Sequence, residues 1–183
     1  RPGPGPLEHV LRIVNRADAE VVWPLQKSLG LTLHAPADHA LEAFWVEKGQ
    51  GTPSPVGVHR EKVGPGYRFA GRSSGYPGDR AADREMIPWL CVRDVTAGRG
   101  WYVGVAFSGN VAITLAADEK EGRLELRVEA GIDPAGGEFR TRVPPGGIFE
   151  TPPVLLGCFE GDEDDAANGL HRYVETHLRP PPP

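Results

Sequence analysis

Trp101–Leu115, WYVGVAFSGNVAITL, is the stretch that decides the fold. Trp101, Val103, Val105 and Phe107 alternate with Tyr102, Gly104, Ala106 and Ser108, the period-two pattern of a half-buried strand. Ser108-Gly109-Asn110 supplies residues that tolerate positive φ and predicts a tight hairpin turn. Val111, Ile113 and Leu115 resume the alternation on the return strand. Farther on, Leu124, Leu126, Val128 and Ala130 share one face, and Arg123, Glu125, Arg127 and Glu129 the other. Together these runs predict a three-stranded antiparallel meander with one wet face, and therefore a sheet protein.

Composition agrees. A chain of 183 residues suits one domain with a substantial core. Its 24 glycines and 19 prolines, beside 39% hydrophobic residues, predict many turns joining short strands rather than disorder. The formal charge of −5 gives no reason to expect nucleic acid or an anionic membrane as partner. No apolar run approaches the ~20 residues of a membrane helix. The expected compartment is the cytoplasm, although a sequence beginning at Arg1 is compatible with secretion. Cys91 and Cys158, each within a predicted strand, read as two buried thiols or as one disulfide. A zinc site would need more ligands at shorter spacing.

Outward from the meander, Arg1–Pro6 is an extended lead-in and 7–161 the sheet domain. Within it, Leu7–Val14, Glu20–Trp23 (stopped by Pro24), Leu29–Leu33 and Leu41–Val46 are predicted strands. Gly49–Pro88 is the least regular part, with short strand candidates at Val56–Val58 and Tyr67–Phe69. A loop-rich excursion of that length tends to be functional. Ile87–Val95, Phe139–Val143 and Pro153–Phe159 complete the strands. Residues 162–179 then read as a helix. Asp162 can cap it, Glu163, Asp164 and Asp165 complement its dipole, and Ala166, Leu170, Tyr173 and Val174 mark one apolar face. The prolines of 180–183 end it as a semi-rigid linker.

Few residues suggest chemistry. The acidic group Glu160–Asp165 lacks the spacing of a calcium loop and reads as a helix start. The six histidines form no metal-binding pattern, and no serine sits in a G-x-S-x-G elbow. No metal and no cofactor is expected. The aromatics Trp23, Trp45, Trp89, Trp101, Tyr67, Tyr76 and Tyr102 fit a core, with a sugar-stacking surface as the alternative and Tyr76 its best candidate.

Three segments carry a family resemblance. They are the G-W-Y-x-G-x-x-x-S-G run from Gly100, the P-G-G-x-F-x-T-P-P-V run from Pro145, and the helix bearing Leu170-His171-Arg172-Tyr173. With GRSSGYP from Gly71 and the following PWL, they resemble the amino-terminal domain of family 36 glycoside hydrolases, the α-galactosidase (melibiase) group. The resemblance covers most of 7–179 and is most specific in the last eighty residues. It implies an all-β antiparallel supersandwich with a C-terminal α-helix, placed before a (β/α)8 barrel that carries both catalytic aspartates. No catalytic residue is therefore carried over to this chain.

The expected role is a non-catalytic accessory domain of an α-galactosidase-like enzyme, docked on the barrel of the same polypeptide through Phe44, Leu170, Tyr173 and Val174. It would shape the barrel's mouth and support homo-oligomers, with an α-galactoside or other carbohydrate as the parent's substrate. The alternatives are an independent carbohydrate-binding module, with Trp45, Arg72, Ser74 and Tyr76 as the sugar site, and a free-standing interaction domain.

Overall fold

The computed structural model describes residues 5–24, 27–48, 57–73, 85–133 and 140–178. Ten strands make two antiparallel layers. The first holds β1 (Leu7–His9), β5 (Leu41–Glu47), β6 (Val58–Val63), β8 (Met86–Asp94), β9 (Arg99–Val105) and β14 (Val154–Glu160), in the spatial order β1-β14-β9-β8-β5-β6. The second holds β4 (Lys27–Pro36), β7 (Arg68–Ser73), β10 (Val111–Lys120) and β11 (Arg123–Ile132), in the order β4-β11-β10-β7. Two ribbons complete the sheet structure: β2 (Arg12–Val14) with β13 (Ile148–Glu150), and β3 (Val21–Pro24) with β12 (Arg140–Val143). Helix α1 (Glu163–Tyr173) runs into one π-helical turn, Val174–Leu178. The all-β sandwich with a C-terminal helix is the architecture the sequence predicts.

The meander is not. β9 is flanked by β8 and β14, with Val103 opposite both Leu90 and Leu156. β10 lies in the other layer, between β11 and β7. Residues 106–110 therefore cross from one layer to the other instead of closing a hairpin. The physical reason is that both edges of β9 are taken by β8 and β14, while its faces are covered by the inter-layer core at Val103 and by the cluster under α1 at Tyr102, so the chain after it leaves for the facing layer. The hairpin turn lies farther along, at Glu121–Gly122. Both residues have positive φ (52° and 72°), as a two-residue turn between twisted strands requires. The predicted strand 7–14 is also two strands, because at Leu11 the chain leaves β14 and turns to Thr151. Leu11 N–H donates to Thr151 Oγ1 and Thr151 N–H to Leu11 O, each at 2.9 Å.

The core lies between the layers. Val103, Leu90 and Val92 from the first face Ile113, Leu115, Leu126 and Val128 from the second, all at most 2% exposed. Each such aliphatic side chain stabilises the fold by about 1.5–3 kcal/mol through burial. At the second layer's edge β4 carries a bulge opposite Ala130/Gly131. Gly131 sits there at φ 144°, where a Cβ would lie 2.8 Å from Lys27 Cα.

A smaller cluster covers the outer face of the first layer: Trp89, Cys91 and Tyr102 beneath Ala166 of α1, with Phe44, Phe159 and Leu170 around them. Glycines make this face flat. The Tyr102 ring lies over Gly157 and the Phe159 ring over Gly100, each directly across the strand pair. Trp89 Cδ1 likewise comes within 3.5 Å of where a Cβ on Gly104 would stand. The helix rests on an aromatic surface made level by missing side chains.

Candidate functional site

Two places hold the residues singled out by sequence. The first is the corner where β7 ends, β10 begins and β11 ends. Ser73 pairs with Val111, Val111 with Ile132, and Asp133 N–H donates to Asn110 O at 3.0 Å. Arg72 Nε lies 3.2 Å from Asp133 Oδ2, the carboxylate buried and the arginine half-exposed. A bridge between Arg72 and Glu85 brings together the two ends of the stretch between them. Of the proposed sugar contacts, Arg72 is thus at an accessible corner, locked to Asp133. Ser74 and Tyr76 lie outside the described residues.

Trp45 does not belong to a sugar platform. It is 2% exposed, stacked on His59 at 3.9 Å between ring centres, with Phe69 on another side. An indole packed between the layers has no face left for a pyranose. The reading of the strand aromatics as core is the one its position supports.

The second place is the outer face under α1. The helix start is built as the sequence predicts: Asp162 accepts from the backbone N–H of Asp164 and Asp165, and Asp165 accepts from Asp162 N–H, a reciprocal capping box. Glu163 reaches back to the sheet. Arg60 Nε donates to its Oε1 at 2.8 Å, Arg60 Nη2 contacts the same oxygen, and Arg93 stands 3.8 Å away. Arg60 in turn lies 5.3 Å over the Phe44 ring. The acidic group is a helix anchor, and among the described residues no set of three or more metal-ligating side chains gathers.

Burial pushes the Glu163 carboxyl up. The hydrogen bond from Arg60, a backbone N–H and the Arg60 charge outweigh it and hold the group below its ordinary 4.5. With the folded value depressed, its contribution is full above pH 4.5 and is lost as pH falls through the folded value. In Glu163→Gln the loss of melting temperature between pH 5 and pH 3 should be shallower than in the parent protein. An unchanged acid limb would show that the pair does not couple to folding.

The face expected to dock on another domain is partly occupied from within. Phe44 and Leu170 pack on the same cluster, one from the sheet and one from the helix. Tyr173 is half-buried beside His177, 4.9 Å between rings, and lies against Gly5. Only Val174, 37% exposed, stays open, with Leu178 beyond it at 43%. The cysteines occupy opposite faces of the first layer, because Cys91 aligns with Tyr102 and Cys158 with Trp101. Both are free thiols. Cys91 is buried as expected, and Cys158 is exposed, because it lies near the end of β14 beyond the reach of β1. Burial under the helix pushes the Cys91 thiol up to about 12.

Sequence reading missed Asp133, Asn15 and Thr151. Asn15 is buried and donates through Nδ2 to Val143 O at 2.8 Å and Ala19 O at 2.9 Å, while its backbone joins Gly146 and Gly147. It ties the two ribbons together, so the Pro-Gly-Gly run and Thr151 hold structure. A polar residue between two predicted strands gave no signal that distant carbonyls would converge on it.

The chemistry available at these places is binding and positioning. Among the described residues the shifted carboxylates are members of ion pairs, as where Arg68 lowers Asp118, and the shifted thiol is sealed. No helix among them is long and apolar enough to cross a membrane.

The fold defines the class of protein to which the chain is alike. No family model matches the sequence, and no curated protein matches it. Solved structures do match. The α-galactosidase of Lactobacillus brevis aligns over 90% of this chain and 21% of its own, with TM-score 0.63 and 18% identity. A family 36 α-galactosidase from Geobacillus stearothermophilus, solved with stachyose, aligns over 92% of this chain and 22% of its own, with TM-score 0.65 and 20% identity. The galactosidase domain of an α-galactosidase–sucrose kinase aligns over 83% and 20%, at TM-score 0.61 and 17% identity. The chain has the fold of about one fifth of these enzymes.

Proposed function

We propose that this chain is the non-catalytic amino-terminal domain of an α-galactosidase-like glycoside hydrolase. It supports a catalytic (β/α)8 barrel in the same polypeptide, and the parent acts on α-galactosides. One observation carries the reading: the match runs through about nine tenths of this chain and only a fifth of each enzyme. The geometry is compatible with a supporting role, since Glu163, Asp118, Asp133 and Glu129 are held by Arg60, Arg68, Arg72 and Lys27 respectively. Rigid anchoring of α1 would fix the direction in which the chain leaves the sandwich.

The experiment is hydrolysis of an aryl α-galactoside by the 183-residue chain, together with the reading frame beyond Pro183. No turnover above the buffer rate is expected, with a barrel bearing paired aspartates encoded downstream. Turnover that survives repurification, or a frame without a barrel, would sink the proposal. Titration with galactose or raffinose is expected to leave tryptophan fluorescence unchanged. A saturable shift would favour a carbohydrate-binding module whose platform excludes Trp45.

A further inference from the structure

The two layers are unequal, six strands against four, and each has two edges. Three of those edges are defended. β1 is only three residues long, β6 carries His59, Arg60, Glu61 and Lys62, and β7 carries Arg68 and Arg72 and ends at the bridge to Glu85. Short length and charge keep an edge from pairing with another chain. The fourth edge, β4, has neither. It is ten residues long and, from Ser28 to its closing Pro36, reads SLGLTLHAP, without a lysine, an arginine or a carboxylate. Only β11 pairs with it. Among the described residues no hydrogen bond reaches the backbone of 29–35 from the side away from β11.

The ground beyond that edge is apolar. His9, at the end of β1, donates through Nε2 to Ser28 O at 3.0 Å, so the end of β1 lies beneath the start of β4. Leu7, two residues back on the same face, stands level with Leu156 and Val103 and is 72% exposed. On the inward face of β4, Leu31 and Leu33 pack on the core yet stay half-buried. The second layer thus stops short of covering β1.

These features dictate what can sit there. A row of alternating N–H and C=O groups is satisfied together only by an extended backbone laid alongside it. The half-buried leucines call for an aliphatic side chain at every second position, and the exposed Thr32 and His34 leave the positions between polar. We infer that the free edge of β4 accepts an extended polypeptide segment as a fifth strand of the second layer, its inward side chains resting on Leu7, Leu31 and Leu33. This holds whether or not a barrel follows the chain, so it stands or falls apart from the proposed function.

Hydrogen exchange followed by NMR on the whole chain tests it. The probe is a synthetic ten-residue peptide of alternating valine and threonine, N-methylated along one edge so that it presents a single pairing edge. In the dilute chain alone, alternate amides from Leu29 to Ala35 should exchange roughly a hundredfold faster than their neighbours bonded to β11. Peptide at up to about 1 mM should slow those fast amides roughly tenfold or more, and a peptide methylated along both edges should not. Leu7→Asp should weaken peptide binding about tenfold while leaving the melting temperature near the parent's, because that side chain is already exposed. Leu31→Lys, which sets a charge on the inward face of the edge, should weaken it likewise, with circular dichroism identifying any loss of fold. Edge amides that are already slow in the dilute chain would overturn the inference, as would fast amides that the peptide leaves unchanged. Slowing driven by protein concentration alone would make a second copy the occupant and overturn it too. So would a folded Leu7→Asp that binds the peptide like the parent.

Discussion

Ala166→Asp is expected to lift α1 from the six-stranded sheet and turn one reactive thiol into two. Ala166 is fully buried and sits over Trp89, Cys91 and Tyr102. An aspartate there places a carboxylate among aromatic rings, with Glu163 one turn away. Burying an unpaired carboxylate costs several kcal/mol, more than the contacts of a short helix supply, so undocking is the cheaper response. The two-layer core, with its own continuous packing, should remain. Cys91 then reports the event. In the parent its thiol is held at about 12 by burial and is covered by the helix, whereas Cys158 is exposed. Once uncovered, Cys91 should return toward its ordinary 9.0, and at pH 8 the thiolate is the reacting species. A disulfide-exchange reagent should titrate about one thiol in the parent and two in the variant, with far-UV sheet signal retained. A variant with one reactive thiol and the parent's melting temperature would show that the helix does not rest where Ala166 places it.

What sequence reading could reach was whatever depends on a strand's own side chains. The alternation in Leu124–Ala130 gives the position and inward face of β11, and the Asp162 signature gives the helix start within a residue, because both are local. The layer to which a strand belongs is not local. Trp101–Val105 reads the same whether its neighbour is the next strand in the chain or β14, fifty residues later. The choice is made by which strands fill the two edges of the ladder, here β8 and β14. The same limit explains the sugar candidates. Trp45 in an alternating strand gives no sign of whether its indole meets solvent or the opposite layer, and its stack on His59 depends on the register of β5 and β6. Arg72 was found because a loop-side arginine is accessible by default. Its partner Asp133 was not, since four strands, β8 to β11, lie between them in the chain.

Gly157→Val is expected to be the most damaging single change on the outer face, at about 3 kcal/mol or more. Tyr102 lies flat over this glycine in the directly opposed register position, so that any Cβ falls inside its ring. Tyr102 is 3% exposed and held between Cys91, Trp89 and the helix, with its ring 6.2 Å from that of Trp89. It cannot swing away without lifting α1, and β14 cannot retreat without losing its ladder to β9. Valine suits a strand by propensity, so any loss is steric and falls on the aromatic layer. A double-mutant cycle tests this directly. If the clash with Tyr102 is the cause, Tyr102→Ala should recover most of the stability lost in Gly157→Val, giving a coupling of roughly 1–3 kcal/mol between two residues in contact. Equilibrium denaturation of the four proteins measures it. Additive losses would mean that the glycine is required by the backbone of β14 instead, and that the flat surface under the helix is incidental to its docking.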